Sequence, residues 1–227
     1  MLESIPVESP NYSIIIVTHP NYTEALEKLK GDLAVAGWPS DKIYYVYNDI
    51  KDATQDGVVD GNNLKLSSNI HEYSGYFLPN KINAGNEDMF LLLHDTCRLG
   101  PDFKSKVLAA FDEYKNSKTD LLWCSSNGQC NICIFGRVTS DKALKMWGDW
   151  QILDKAHAIA MEHKRIPDSL KAASDIKQKY SRPHPQSMGD IAEYSSGIIR
   201  SKLYFQYIDV YKFFIWMGNK PVHDQKP

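Results

Sequence analysis

The sequence predicts an α/β domain with a mostly parallel central sheet flanked by helices. Apolar runs recur at Tyr12–Val17, Lys42–Tyr47 and Asp88–Leu93. Segments of helical spacing separate or follow them, the alternation that builds parallel sheets. Each run stops abruptly in polar residues, and open α/β sheets bind ligands beyond the carboxyl ends of their strands.

Composition agrees with one domain. The chain has 227 residues, and domains run to ~100–200 residues. Hydrophobic residues are 43% and charged residues 24%, which excludes a disordered chain, a collagen and a coiled coil. The net charge of −2 and pI near 6.4 give no basic field for nucleic acid. Apolar runs such as Ile14–Val17 and Met89–Leu93 fall far short of the ~20 residues that cross a membrane. Met1–Pro10 carries Glu3 and Glu8 and lacks the apolar core of a signal peptide, so a cytoplasmic protein is expected.

Residues 1–11 read as a polar tail. Tyr12–Val17 is a buried strand that ends in a turn at Thr18-His19-Pro20. Asn21 or Thr23 is placed to cap a helix over Glu24–Ala36, where Ala25, Leu26, Leu29, Leu33 and Ala36 share a face. Gly37 closes that helix. Lys42–Tyr47 is the second strand, parallel to the first, and ends at Asn48-Asp49. Residues 50–69 read as a long polar loop, and Ile70–Leu78 as a short helix. Asp88–Leu93 is the third strand, stopping at His94-Asp95-Thr96-Cys97, and Phe103–Tyr114 is helical. Asp120–Cys124 and Ile132–Phe135 are further strands; Ser140–Trp147 and Trp150–Lys164 are helical by pattern. Arg165–Gln186 reads as a loop. Asp190–Met217 reads as two short elements, its aromatic end Tyr204–Met217 as a packed terminal helix or a membrane-surface contact.

Four cysteines occur, Cys97, Cys124, Cys130 and Cys133. Cys130 and Cys133 have the spacing of a zinc half-site. Buried free thiols are the alternative, since Cys97 and Cys124 form no second pair. No GxGxxG follows the first strand, and GxxxxGK[ST], GxSxG and HExxH are absent. These absences count against NAD dehydrogenases, P-loop NTPases, α/β serine hydrolases and zincin proteases.

At Leu91–Phe103 (LLLHDTCRLGPDF) an apolar strand runs into an acidic residue, a turn and a helix. This segment resembles the nucleotide-sugar site of GT-A glycosyltransferases, whose strand ends in a DxD motif that binds a divalent metal and the donor diphosphate. Ser13–Pro20, Lys42–Asp49 and Ile70–Leu78 resemble that family's first strand, second strand and following helix. His94-Asp95-Thr96 offers one carboxylate where the family has two.

The resemblance implies a donor-binding half over residues 12–140 and an acceptor half over 141–227. It implies an inverting transferase moving a sugar, from a UDP-sugar, to a glycan or glycosylated acceptor. Asp95, His94 and His184 would hold Mn2+ or Mg2+. Thr18, His19, Asn48, Asp49, Glu72 and Arg137 would hold the donor. Asp190, or else Glu193, would be the base that takes the acceptor proton. Each residue also has an ordinary reading. Asp95 and Asp190 suit turns and caps, Arg137 a surface ion pair, His184 and His223 solvated positions, and Trp147 and Trp150 the core. A GT-A-like module that binds sugar or nucleotide without catalysis is the rival function, and a thiol–zinc domain the third.

Overall fold

The computed structural model describes residues 12–50, 58–67, 74–81, 88–117, 119–124, 132–147, 176–178, 203–205, 207–212, 216–217 and 220–221. In chain order these form β1 (Tyr12–Thr18), α1 (Thr23–Val35), β2 (Ile43–Tyr47), β3 (Val58–Asp60), β4 (Asn63–Lys65), α2 (Ser74–Lys81) and β5 (Met89–His94). There follow β6 (Cys97–Leu99), α3 (Phe103–Asn116), β7 (Leu121–Trp123), β8 (Cys133–Gly136), α4 (Arg137–Trp147) and β9 (Ile176–Gln178). The last strands are β10 (Leu203–Phe205), β11 (Val210–Lys212), β12 (Trp216–Met217) and β13 (Lys220–Pro221).

The result is the α/β domain that the periodicity predicts. Eight strands form the central sheet in the order β3-β4-β2-β1-β5-β8-β7-β9. Strands β4, β2, β1, β5, β7 and β9 run one way, and β3 and β8 the other. Strands β1 and β5 lie inside the sheet with both faces covered. That is why they read as unbroken apolar runs: Ile14–Ile16 and Phe90–Leu93 are 0% exposed.

On one face, Ile14, Ile16, Leu91 and Leu93 join a single core with Leu26, Leu29 and Leu33 of α1 and Phe103, Val107 and Phe111 of α3. On the other, α2 lies against Ile15, Val17 and Leu92, and Tyr76 packs on Phe135 at 4.6 Å between ring centroids. The chain therefore leaves β1 through α1 on one face to reach β2. It returns through α2 on the opposite face to β5, on the other side of β1. The strand order reverses between β1 and β5, and their carboxyl ends flank a topological switch point.

The close approach of α2 depends on Gly75. A Cβ there would sit 2.3 Å from Leu92 Cδ1 and 3.0 Å from Val17 Cγ2. Gly75→Ala is expected to destabilise the fold by about 1–3 kcal/mol, the usual cost of overpacking. Urea unfolding would show it as a lower midpoint at unchanged slope.

Several elements differ from the sequence reading. Residues 50–69 contain the β3–β4 hairpin, closed by a two-residue Gly61-Asn62 turn. Asn62 Nδ2 donates to the Ile43 carbonyl at 3.0 Å and ties the hairpin to β2. Neither Asn21 nor Thr23 caps α1: Tyr22 precedes it without a side-chain cap, and His19 caps the short 3-10 turn before it. Helix α1 does end at Gly37 (φ 65). The N–H of Trp38 returns to the Leu33 carbonyl and that of Gly37 to Ala34, a Schellman closure. Helix α2 contains Pro79 and runs past Leu78 to Lys81; residues 70–73 of the expected helix lie outside the described residues.

Helix α4 starts directly after β8, and the expected 165–186 loop includes β9, paired parallel to β7. Residues 148–164, with Trp150, lie outside the described residues.

The described residues of the aromatic end Tyr204–Met217 form no helix. They hold β10, β11 and the first strand of a β12–β13 hairpin. Strand β11 pairs antiparallel with β10 on one side and, on the other, with β6, a strand where only a turn was expected. Asp209 sits at φ 52, a left-handed backbone that interrupts any helix and turns the chain into β11.

Cys97, Cys124 and Cys133 are buried free thiols. Burial pushes the Cys124 thiol well above its ordinary pKa, and Cys133 Sγ lies 3.1 Å from the Tyr76 hydroxyl. Cys130 lies outside the described residues. Among the described residues no helix is long and apolar enough to cross a membrane.

Candidate functional site

Parallel strands deliver their last residues to one edge of the sheet. Strands β1, β2 and β5 are in register so that Thr18 lies beside Tyr47, and Val17 beside His94. The next residues of β2 and β5 stay attached to β1: Asn48 N donates to the Thr18 carbonyl at 3.0 Å, and Asp95 N to the Val17 carbonyl at 3.1 Å. Thr18, His19, Asn48, Asp49 and Asp95 thus meet at the switch point.

Asp95 spans that point. It is 7% exposed, and its Oδ2 accepts the Thr18 hydroxyl at 2.9 Å and the His19 N–H at 3.3 Å. A carboxylate removed from water needs such donors. They tie it from the end of β5 to the end of β1.

His19 is held from both ring nitrogens. Its Nδ1 accepts the Asn21 N–H at 3.1 Å, so in the neutral ring the proton sits on Nε2 and donates to Asp49 Oδ2 at 3.2 Å. Asp49 is at φ 56. Non-glycine residues rarely occupy that region, and where they do Asp is among the commonest. The strain turns its half-exposed carboxylate back toward β1. Asn48 is buried and donates from Nδ2 to Ser74 Oγ at 3.1 Å. Ser74 opens α2, is 0% exposed and was missed by the sequence reading.

The other expected residues fall differently. His94 is 6% exposed. Strand alternation directs it to the face of Phe90 and Leu92, under α2, rather than to the face of Leu93. Arg137 is at the opposite end of the sheet. Its N–H donates to the Asp88 carbonyl, just before β5, and its Nη1 to Pro79 O at 2.7 Å. Six residues of strand separate that level from Asp95, roughly 20 Å at ~3.3 Å per residue. Arg137 therefore stands apart from the strand-end cluster and anchors the start of α4 instead. Glu72, His184, Asp190 and Glu193 lie outside the described residues, as does His223; Trp147 ends α4.

No protein-family model matches the sequence, and no curated protein matches it. Solved structures do resemble the chain. A 4-diphosphocytidyl-2C-methyl-D-erythritol synthase from Anaerococcus prevotii aligns at 10% identity and a TM-score of 0.44, over 75% of this chain and 89% of its own. A glycosyltransferase involved in glycosylating the major capsid of PBCV-1 aligns at 10% identity and 0.43, over 74% and 81%. The apo form of the glycosyltransferase GlyE of Streptococcus pneumoniae aligns at 12% and 0.43, over 74% of this chain and 45% of its own. Those activities are the neighbours' own.

Asp95 supplies carboxylate oxygen at the strand end, and hard cations bind through one or two carboxylates together with substrate phosphates and water. Among the described residues no group of three or more His, Cys, Asp or Glu is placed to hold a metal by itself. Any cation here would share its shell with the ligand.

Proposed function

We propose that this chain is a glycosyltransferase of GT-A-like design that takes its sugar from a nucleotide donor, a UDP-sugar, and passes it to a glycan or glycosylated acceptor. One observation carries the reading: a buried carboxylate, Asp95, tied by Thr18 and His19 to the end of β1 at the β1–β5 switch point. It stands in the segment that resembles the family's metal-binding strand end.

The roles follow from position. The ends of β1 and β2 offer Thr18, His19, Asn48 and Asp49 to the nucleoside, because a buried hydroxyl or amide can pair with the edge of a pyrimidine. Ser74 orients Asn48. Asp95 would hold Mn2+ or Mg2+ beside the diphosphate, with His94 or His184 as further ligands once turned toward it. When bound, that cation supplies Lewis-acid stabilisation of charge on the departing diphosphate. Asp190, with Glu193 as the alternate, accepts the proton of the attacking hydroxyl in an inverting transfer.

A thermal-shift series tests the reading. UDP and UDP-sugars, each with and without manganese, should raise the melting temperature, because a ligand that binds only the native state stabilises it by mass action. The cation should enlarge the shift. Nucleotide binding without donor turnover would favour the non-catalytic module. No shift with any nucleoside diphosphate or nucleotide sugar would remove both readings.

A further inference from the structure

Asp95 is only as well placed as the turn that carries it, and that turn has two ends. The first is fixed by β1, through Asp95 N and the Val17 carbonyl. The second enters β6, which has no place in the central sheet. Strand β6 pairs instead with β11, Val210 beside Leu99, Tyr211 beside Arg98 and Lys212 beside Cys97. A segment more than a hundred residues downstream therefore supplies the sheet partner for the residues that follow Asp95-Thr96.

Asp209 locks that segment in place. It is 3% exposed. Its backbone carbonyl accepts the Gly100 N–H at 2.8 Å, and its Oδ2 accepts the Asp102 N–H at 2.8 Å, at the positive end of α3, where a carboxylate is favoured. Gly100 leaves the room: a Cβ there would lie 2.1–2.4 Å from all three atoms of the Asp209 carboxylate. On either side, Ile208 and Val210 are buried in the core that includes Cys97, Leu99 and Phe103, and the Tyr207 hydroxyl bonds to Glu113 on α3. From the other flank, Asp32 of α1 grips Arg98 with both carboxylate oxygens and also accepts the Leu99 N–H at 3.0 Å. Strand β6 is thus clamped between α1 and the C-terminal segment.

We infer that Asp209 is a positioning residue for Asp95: by pinning β11 to β6 and to the start of α3, it sets the turn that presents the Asp95 carboxylate at the switch point. The inference rests on the proposed donor site for its ligand readout, but the turn itself can be read without a ligand.

The test uses the full chain with Asp209→Asn and Asp209→Gly. Both residues tolerate a left-handed backbone. Asparagine keeps an oxygen to accept the Asp102 N–H, and glycine does not. Hydrogen exchange should speed up at the amides of residues 95–99 in Asp209→Gly, while residues 14–17 of β1 keep wild-type protection. Asp209→Asn should stay near wild type. In titrations of UDP with manganese, well below the melting temperature, Asp209→Gly should bind on the order of 10-fold more weakly or worse, the usual loss when the support of a metal ligand is removed. A glycine variant with wild-type exchange at 95–99 would overturn the inference. So would a lowered melting temperature with unchanged exchange and unchanged affinity, the mark of a purely structural role. If the wild type binds no nucleotide, the donor reading fails and the exchange data alone decide the positioning role.

Discussion

Asp95→Asn is expected to abolish manganese-dependent binding of UDP while leaving the chain folded. Asparagine keeps the shape and one side-chain oxygen, so the Thr18 hydroxyl and the His19 N–H retain an acceptor. It removes the negative charge that a divalent cation requires, and no second carboxylate stands in the His94-Asp95-Thr96 segment to replace it. Asp95→Ala should behave differently. It strips the acceptor from two donors at a buried site, and each unsatisfied group costs about 1–3 kcal/mol. Calorimetric titration of UDP with manganese against the asparagine variant, beside its urea midpoint, separates charge from fold. Equal affinities in wild type and Asp95→Asn would take Asp95 out of the metal site.

Asp190→Asn is expected to cut sugar transfer on the order of 10²–10⁴-fold, the size of general-base effects, with donor binding intact. Asp190 follows Gly189 downstream of β1, β2 and β5, and the strand-end residues proposed to hold the donor are untouched by the change. The decisive measurement pairs transfer rate with the affinity for UDP and manganese. Loss of both would place Asp190 in the donor site or the fold. Full transfer in the variant would pass the role to Glu193.

The long strands were legible because burial on both faces leaves no alternation to misread. Ile14–Ile16 and Leu91–Leu93 are apolar at every position, and each is fully buried. Where they stop, the sequence turns polar, and Thr18, His19, Asn48, Asp49 and Asp95 were identified as strand-end residues on that ground alone. Helix α1 was legible from its apolar stripe and its terminal Gly37.

Of the three-residue strands, β7 was legible within the apolar run Asp120–Cys124, but several others were not. β3, β4, β6, β10 and β11 are each too short to show a period. What makes them strands is a partner elsewhere: β4 for β3, and β11 for β6 across more than a hundred residues. Arg137 shows the same limit in another form. It follows a strand, as expected, but β8 runs antiparallel to β5, so the residue after β8 emerges at the edge opposite Asp95. Strand direction is a property of pairing, and a local pattern does not encode it.

By itself, then, the sequence determined the α/β class, the central strands and the polar residues at their ends, because hydrophobic periodicity and burial act over neighbouring residues. Only the tertiary structure decided which of those residues meet. The Thr18–Asp95 hydrogen bond joins residues 77 positions apart and the Asp102–Asp209 bond residues 107 apart. Such contacts form only after the sheet order and the strand directions are set, since the loop-closure entropy of long separations is repaid by the packed core and not by the contact itself.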